Sequence, residues 1–153
     1  MSRLRIALLI VVMVVGGFVV LVAIGATFLR RPPYVVSDVD IAKAVTGRWD
    51  WSTRLNPCRD SAHRIAFSRD KKVMTITLEY LPASDSNRVA IYDIKRLSRS
   101  SLRGAKRGET RRTASGVPVV WDLVLLGPAE YRWHRTDWAW GYTAPVIRCT
   151  TAT

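Results

Sequence analysis

An uncharged, predominantly apolar segment extends from Ile6 to Leu29, and its most polar side chain is that of Thr27. Arginines flank this segment on both sides. A helix of this length rises about 36 Å, which is enough to cross a hydrocarbon core of about 30 Å. The pattern therefore predicts that residues 1–31 form a transmembrane anchor, which delivers the remaining chain to the far side of a membrane.

A cleaved signal peptide is the alternative to an anchor. Signal peptides have a shorter apolar core of about 7–15 residues, although Ala23 and Gly25 offer small residues for a cleavage site. The length of the segment favours an uncleaved, single-pass signal-anchor. Two arginines precede the segment and two follow it directly, so that charge alone leaves the orientation open.

The pattern changes to that of strands at Gly47, after a linker (residues 32–46) in which Ser37 is placed to cap a short helix. The clearest strand is Lys72–Leu81, because every second residue is apolar: Met74, Ile76, Leu78 and Tyr80. Further strands are predicted at His63–Ser68, Arg88–Arg96, Val117–Leu126, Glu130–Thr136 and Thr143–Thr150, with two polar strands, Ser98–Arg103 and Arg107–Thr113, joined near Gly104.

Short strands at spacings of about 8–12 residues, with almost no helix, are typical of a β-sandwich or β-barrel. The short connections favour an antiparallel up-and-down barrel of about eight strands over a Greek-key sandwich. The sequence therefore predicts an N-terminal transmembrane helix followed by a single all-β domain at residues 47–153.

The two cysteines, Cys58 and Cys149, lie near the two ends of the predicted domain. In an extracytoplasmic space such a pair most simply forms a disulfide. The cysteine pair therefore favours a domain on the periplasmic side of the inner membrane. The alternative to a disulfide is two separate buried thiols. A zinc site made of both cysteines, His63 and His134 lacks the tight ligand spacing of structural zinc sites, and we predict no metal.

The motif Gly47-Arg48-Trp49 opens the first predicted strand. It resembles the opening motif of lipocalins and related calycin barrels, in which the tryptophan plugs one end of the barrel and a late arginine packs across its ring. The resemblance implies a lipocalin-like barrel over residues 47–150. In this chain it offers three candidates for that arginine: Arg132, Arg135 and Arg148. A cysteine after the first strand paired with one near the C-terminus is also similar to lipocalin bridging.

The tryptophans, six in all, are numerous for a domain of this size. Core packing explains buried aromatic side chains, whereas tryptophans in loops can line a barrel mouth or contact a membrane interface. For a small apolar ligand or a lipid, the predicted binding residues are Trp49, Trp51, Trp138, Trp140 and Tyr142.

The chain carries a net charge of +12. Between Ser98 and Ser115 only Glu109 opposes a group of basic residues, which we call the basic patch: Arg99, Arg103, Lys106, Arg107, Arg111 and Arg112. The basic patch is either a solvated edge or a contact for anionic lipid head groups, an acidic protein or a polysaccharide. Basic and aromatic residues together also suit nucleic acid, but the predicted anchor argues against it and we expect no such partner.

The sequence contains no phosphate loop, dinucleotide fingerprint or nucleophile elbow. His134 and Asp137 are a conceivable catalytic pair, but no activated nucleophile accompanies them. We therefore expect no catalytic residues and no cofactor.

The expected function is a membrane-anchored module that binds an apolar ligand, a lipid or an envelope partner. The alternative is a structural or assembly protein of the envelope, with a filled barrel, that acts through its basic outer face.

Overall fold

The structure, a computed structural model, describes residues 40–139 and 141–150, so the predicted anchor and Trp140 lie outside the described residues. Within the described residues no helix is long and apolar enough to cross a membrane. These residues form a short helix and eight strands: α1 Ile41–Val45, β1 Gly47–Trp51, β2 His63–Phe67, β3 Val73–Leu78, β4 Val89–Leu97, β5 Ser101–Lys106, β6 Trp121–Gly127, β7 Glu130–Arg135 and β8 Val146–Arg148.

Each strand pairs with the next in the antiparallel direction, and β8 returns to pair with β1, so that the sheet closes into a barrel. In the closing pair Trp49 lies opposite Arg148. Full closure removes the exposed edge strands that an open sheet would present. The structure thus confirms the predicted all-β domain and its antiparallel, eight-stranded, up-and-down barrel.

The period of two in the sequence accounts for the strands and for the faces that they bury. In β3, Met74 and Ile76 are buried inside the barrel, and Thr75 between them points to the opposite face. Ile65 of β2 lies directly opposite Ile76, so that the two strands contribute to one core. The strands predicted at His63–Ser68 and Lys72–Leu81 are therefore confirmed as β2 and β3, which pair with each other in the antiparallel direction.

The prediction of two polar strands joined near Gly104 is wrong. A single strand, β5, runs through Gly104, and residues 107–113 form a loop with an isolated bridge between Arg112 and Pro118. Gly104 is needed inside the strand because a Cβ at this position would lie 3.2 Å from the Cβ of Tyr92 on β4. The pattern indicated a turn where glycine in fact lets an aromatic side chain approach the backbone.

The strand predicted at Val117–Leu126 starts later than expected, because β6 begins at Trp121. Val117 is exposed, whereas Val119 is buried and its amide donates a hydrogen bond to the carbonyl of Arg111. The residues before Trp121 therefore fold against the preceding loop instead of extending the sheet.

Helix α1 packs at one end of the barrel. The side chain of Asp40 caps the helix by accepting a hydrogen bond of 3.0 Å from the amide of Ala42. Ile41 and Val45 are buried in the same core cluster as Trp49. The last residues of the predicted linker are therefore packed as part of the barrel body, while Ser37 lies outside the described residues.

Cys58 and Cys149 form a disulfide, as predicted, with 5.5 Å between their Cα atoms. It connects the loop after β1 to the residue that follows β8. Cys58 has a φ of 71°, a left-handed conformation that residues with a Cβ adopt only when their surroundings hold it. Its amide is held by the carboxylate of Asp50, which accepts a hydrogen bond of 2.7 Å. The disulfide therefore secures both strands of the closing pair.

We predict that Cys58→Ser lowers the free energy of unfolding by about 4–5 kcal/mol under oxidising conditions, because the bridge no longer restricts the unfolded chain. The bridge spans a sequence separation of 91 residues. Urea denaturation followed by tryptophan fluorescence measures the change. The double variant Cys58→Ser/Cys149→Ser is the control, since it should respond to no reductant. Equal stability of the wild type with and without reductant would contradict the prediction.

Candidate binding surface

The interior of the barrel is occupied by the protein's own side chains. Trp49, Met74 and Tyr131 are fully buried, and the rings of Trp49 and Tyr131 meet edge to face with their centroids 4.8 Å apart. The other members of the core cluster are mostly large or branched: Ile41, Val45, Ile65, Ile76, Tyr92, Leu102, Leu123, Leu125, Trp133 and Val146. A barrel of about eight strands has an interior just wide enough for side chains to fill.

The guanidinium of Arg148 covers the ring of Trp49, with 4.2 Å between its Cζ and the ring centroid. The indole N–H of Trp49 donates a hydrogen bond of 2.8 Å to the carbonyl of Val45. Arg148 donates to the carbonyls of Ala44 and Thr46, at the C-terminal end of α1. Of the three arginines considered from the sequence, Arg148 is therefore the one that packs across this tryptophan.

Gly47 is required by the position of Arg148. Its φ is 134°, which disfavours a residue with a side chain. A Cβ at this position would also lie 2.9 Å from Nη1 of Arg148. The glycine and the tryptophan of the Gly47-Arg48-Trp49 motif thus serve the same contact.

Aromatic rings and arginines interleave at the opposite end of the barrel. Trp133 stacks on Tyr92 with 5.5 Å between the centroids, and it meets Trp121 edge to face at 6.0 Å. Trp121 meets Trp138 in the same way, at 6.0 Å. The guanidinium of Arg135 lies 5.5 Å from the centroid of Trp121 and 5.0 Å from that of Trp138. The faces and edges of these tryptophan rings are therefore in contact with other side chains of the same protein.

The residues predicted to bind a ligand do not converge on one site. Trp49 is fully buried, and Trp51 is partly buried against the core. Trp138 is half-buried among the rings just described, while Tyr142 is 54% exposed on the outside of the barrel. Trp140 lies outside the described residues. Of the four that are described, Tyr142 is the one that is open to a partner.

A buried hydrogen bond that the sequence analysis missed joins His63 of β2 to Tyr131 of β7, with 2.7 Å between Nε2 and Oη. Burial lowers the pKa of His63 to about 4 and raises the pKa of Tyr131, so that both are neutral at pH 7. His63 is only 4% exposed. The bond therefore satisfies two polar groups inside the core. The sequence did contain a signal for this burial: His63, Ile65 and Phe67 alternate along one strand, so that all three side chains point to the same face.

Asp50 was also missed, and it is fully buried. Its carboxylate accepts hydrogen bonds of 2.7 Å from the amides of Trp51 and Cys58, and the hydroxyl of Ser61 lies 2.9 and 3.0 Å from its two oxygens. Strand alternation places Asp50 on the outer face, where solvent is expected. The loop at residues 52–62 covers this position instead, so that Asp50 organises the loop that carries the disulfide.

Ion pairs neutralise much of the basic patch: Arg103 pairs with Asp122, Arg107 with Asp93, and Arg111 with Glu109. The bond of Arg103 to Asp122 is bidentate, at 2.7 and 2.8 Å. Hydrogen bonds from arginine lower the pKa of Asp93 and bring the pKa of Glu109 to about 2. The sequence indicated only the nearby Glu109, because the two aspartates lie on other strands.

Lys106 and Arg112 of the basic patch form no ion pair in the described residues, and three further cations without an acidic partner lie close together in the hairpin of β4 and β5. Lys95, Arg96 and Arg99 are exposed there, and none of them forms an ion pair within residues 40–139 and 141–150. We call these three residues the hairpin cations. Of the three, only Arg99 belongs to the basic patch, because Lys95 and Arg96 precede Ser98 in the sequence.

The structure does not bring His134 and Asp137 together as a catalytic pair. Arg135 donates hydrogen bonds of 2.6 and 2.8 Å to the carboxylate of Asp137, and these bonds lower the pKa of that carboxyl. His134 instead faces Asp122, with 3.9 Å between Nδ1 and Oδ2. In the described part of the chain no three His, Cys, Asp or Glu side chains are grouped closely enough to hold a metal ion.

Two open grooves of the described barrel lie on its outside. One has a volume of about 430 Å³ and lies between the disulfide loop and the turn after β3: its lining is Arg54, Leu55, Asn56, Asp60, Ser61 and Tyr80. The other has a volume of about 180 Å³ and lies on the outer face of β4, β5 and β6, and we call it the outer groove: its lining is Arg96, Ser101, Arg103, Asp122, Val124 and Tyr142. The outer groove joins a hairpin cation to the exposed tyrosine and is the candidate binding surface.

We predict that Arg148→Met lowers the free energy of unfolding by about 2–3 kcal/mol, because it removes the cation from the Trp49 ring and leaves carbonyls of α1 without their donor. Urea denaturation measures the loss. Arg132→Met, on the outer face of β7, is the matched control and should cost less than about 1 kcal/mol. An equal effect of both substitutions would show that the contact with Trp49 contributes nothing specific.

We also predict that acid destabilises the fold through His63. Below pH 6.5 the unfolded chain binds a proton at this histidine, whereas the folded chain does so only near pH 4. The free energy of unfolding should therefore fall by about 2 kcal/mol between pH 7 and pH 5. Urea titrations at several pH values test this, with His63→Gln losing that part of the pH dependence. His134→Gln is the control, and a pH dependence that disappears with it instead would contradict the assignment.

Comparison with known proteins provides no relative for this chain, since no family model, curated protein or solved structure matches it. Three features of the described residues bear on function: an interior filled by side chains, three cations without an ion pair in one hairpin, and a groove that connects one of them to an exposed tyrosine.

Proposed function

We propose that this protein is a non-catalytic module of the cell envelope that binds an anionic envelope component through the outer face of its barrel. In this proposal, residues 6–29 anchor the chain in the inner membrane and the barrel lies on the periplasmic side. The proposal treats the barrel as lipocalin-like in its architecture but not in the use of its interior. The observation that carries it is the interior filled by side chains.

A site for a drug-sized apolar ligand needs a cavity of about 300–1,000 Å³. Inside this barrel, Trp49 is held by Tyr131 and by the guanidinium of Arg148, and Trp133 is stacked on Tyr92. A ligand in the interior would have to displace these aromatic side chains, each of which contributes a large buried apolar area. This favours the outer face over the interior as the binding surface.

The hairpin cations supply the charge for that surface. Cations that already bind a carboxylate of the same protein add little attraction for a partner, since their charge is largely compensated at short range. Lys95, Arg96 and Arg99 form no ion pair in the described residues, and each lysine or arginine near an anionic surface contributes about 1 kcal/mol. Acting together, they support binding of a polyanion at moderate salt.

The placement in the envelope is supported by two features of the chain. The uncharged segment at residues 6–29 has the length of a membrane span. The disulfide between Cys58 and Cys149 suits an oxidising compartment. Together they favour a barrel that is tethered to a membrane and faces the periplasm.

We predict that the full chain, held in nanodiscs of neutral lipid, binds anionic probes in a salt-dependent manner. Suitable probes are vesicles that contain phosphatidylglycerol, a polyuronate and polyglutamate. Replacing the hairpin cations (Lys95→Gln/Arg96→Gln/Arg99→Gln) should weaken binding by at least about tenfold at low salt, because three uncompensated charges are lost. Surface-based binding measurements over a range of salt concentrations provide the affinities.

The matched control removes three exposed cations that likewise form no ion pair in the described residues, in the loops on either side of β2: Arg54→Gln/Arg69→Gln/Lys72→Gln. The control removes three positive charges, as the hairpin variant does, but it should weaken binding of the anionic probes much less than the hairpin variant. Equal losses in both triple variants would mean that net charge, not the hairpin, governs binding. Saturable binding of a fluorescent fatty acid that quenches the buried tryptophans would instead favour the interior and overturn the proposal.

A further inference from the structure

The outer groove brings together residues that are far apart in the sequence. Cross-strand pairing places Arg96 beside Arg103, and Arg103 beside Asp122, in one row on the outer face. Ser101 lies two residues from Arg103 along β5 and therefore faces the same side. Tyr142, from the segment between β7 and β8, completes the lining. The groove therefore exists only once β4, β5 and β6 are in register.

Arg103 and Asp122 are held rigidly and still have unused hydrogen-bonding capacity. Their two parallel bonds of 2.7 and 2.8 Å fix both side chains in one plane. A carboxylate has about four lone-pair sites, so Asp122 can accept further hydrogen bonds from a ligand. The side chain of Asp122 is 18% exposed, which leaves it accessible from the groove. Asp122 therefore offers acceptors for the hydroxyl groups of a ligand.

Arg96 adds a positive charge that has no acidic partner among residues 40–139 and 141–150. It is exposed and stands next to the neutralised pair of Arg103 and Asp122. A guanidinium in this position can bind a carboxylate through two parallel hydrogen bonds. The groove therefore combines one site for an anion with neighbouring acceptors for neutral donors.

Tyr142 contributes an aromatic face at the rim of the groove. It is 54% exposed, and its ring lies 5.4 Å from the ring of His134, which supports it from one side. Val124, also on the lining, adds an apolar surface beside it. A flat ligand with an apolar face can therefore lie against this edge while its polar groups reach Asp122 and Arg96.

We propose that the outer groove binds one acidic sugar unit, such as a hexuronate of an anionic polysaccharide. A hexuronate carries a carboxylate for Arg96, hydroxyl groups for Asp122 and a C–H face for Tyr142. A bare anion such as phosphate suits the groove less well, because it has no apolar face to lie against Tyr142 and Val124. A neutral sugar leaves Arg96 without an anionic partner.

The volume of the groove, about 180 Å³, is smaller than the usual range for drug-sized ligands and suits a single sugar ring. One such unit is expected to bind weakly, and a polymer gains affinity because its other carboxylates contact Lys95 and Arg99. The inference rests on the proposed function, since it specifies the anionic component that the outer face binds.

Isothermal titration calorimetry on the full chain in nanodiscs of neutral lipid tests the inference with trigalacturonate as ligand. We expect saturable binding, with maltotriose and inorganic phosphate at least about tenfold weaker. Arg96→Gln and Tyr142→Ala should each weaken trigalacturonate binding by about tenfold. Far-UV circular dichroism and urea denaturation establish that both variants remain folded.

Matched controls come from the second groove, where Tyr80 is 50% exposed and Arg54 is exposed. Tyr80→Ala and Arg54→Gln remove the same side-chain types and should leave binding of trigalacturonate unchanged. Equal binding of phosphate or maltotriose, or an unaffected Tyr142→Ala variant, would overturn the inference. Absence of trigalacturonate binding alongside salt-dependent binding of polyglutamate would also overturn it, yet leave the proposed function standing. Absence of all polyanion binding would remove both.

Discussion

The pairing of β1 with β8 is the contact on which the rest of the structure depends. Strand β8 has only three residues, Val146–Arg148, so its few ladder hydrogen bonds provide limited stability by themselves. Arg148 strengthens the contact by covering Trp49 and by donating to carbonyls of α1. The disulfide at Cys149, the next residue, ties the same end of the chain to the loop after β1. Closure thus rests on a cation–π contact, charged hydrogen bonds and a covalent bond within a few residues.

The contacts that close the barrel also help to fill its interior. Trp49 and Tyr131 meet inside the barrel at one end, and Tyr92, Trp121 and Trp133 pack together at the other. Side chains of this size fill the cross-section of a small barrel, and His63 and Tyr131 satisfy each other's polar groups inside it. A filled core favours the outer face, which is the surface on which we propose that binding takes place.

Charge on that outer face is organised by cross-strand pairing. Arg103 and Asp122 are opposite one another on β5 and β6, and such opposite-charge pairs stabilise a sheet locally. Because the two charges of such a pair largely cancel, the pair adds little to the electrostatic potential outside the protein. The hairpin cations, which lack such partners in the described residues, therefore contribute more to long-range attraction than Arg103, Arg107 and Arg111, which are ion-paired.

The sequence by itself determined the features that depend on local pattern and composition. The alternation of apolar residues, the spacing of short strands with short connections and the two cysteines predicted an all-β barrel with a disulfide, because period two and strand spacing can be read along the sequence. The tertiary structure decided which contacts form between distant strands. It placed Gly104 under Tyr92 inside a strand, selected Arg148 to cover Trp49, buried His63 against Tyr131, and brought Asp122 to Arg103. These outcomes depend on the register between strands, which is set by closure of the barrel as a whole and not by any single segment.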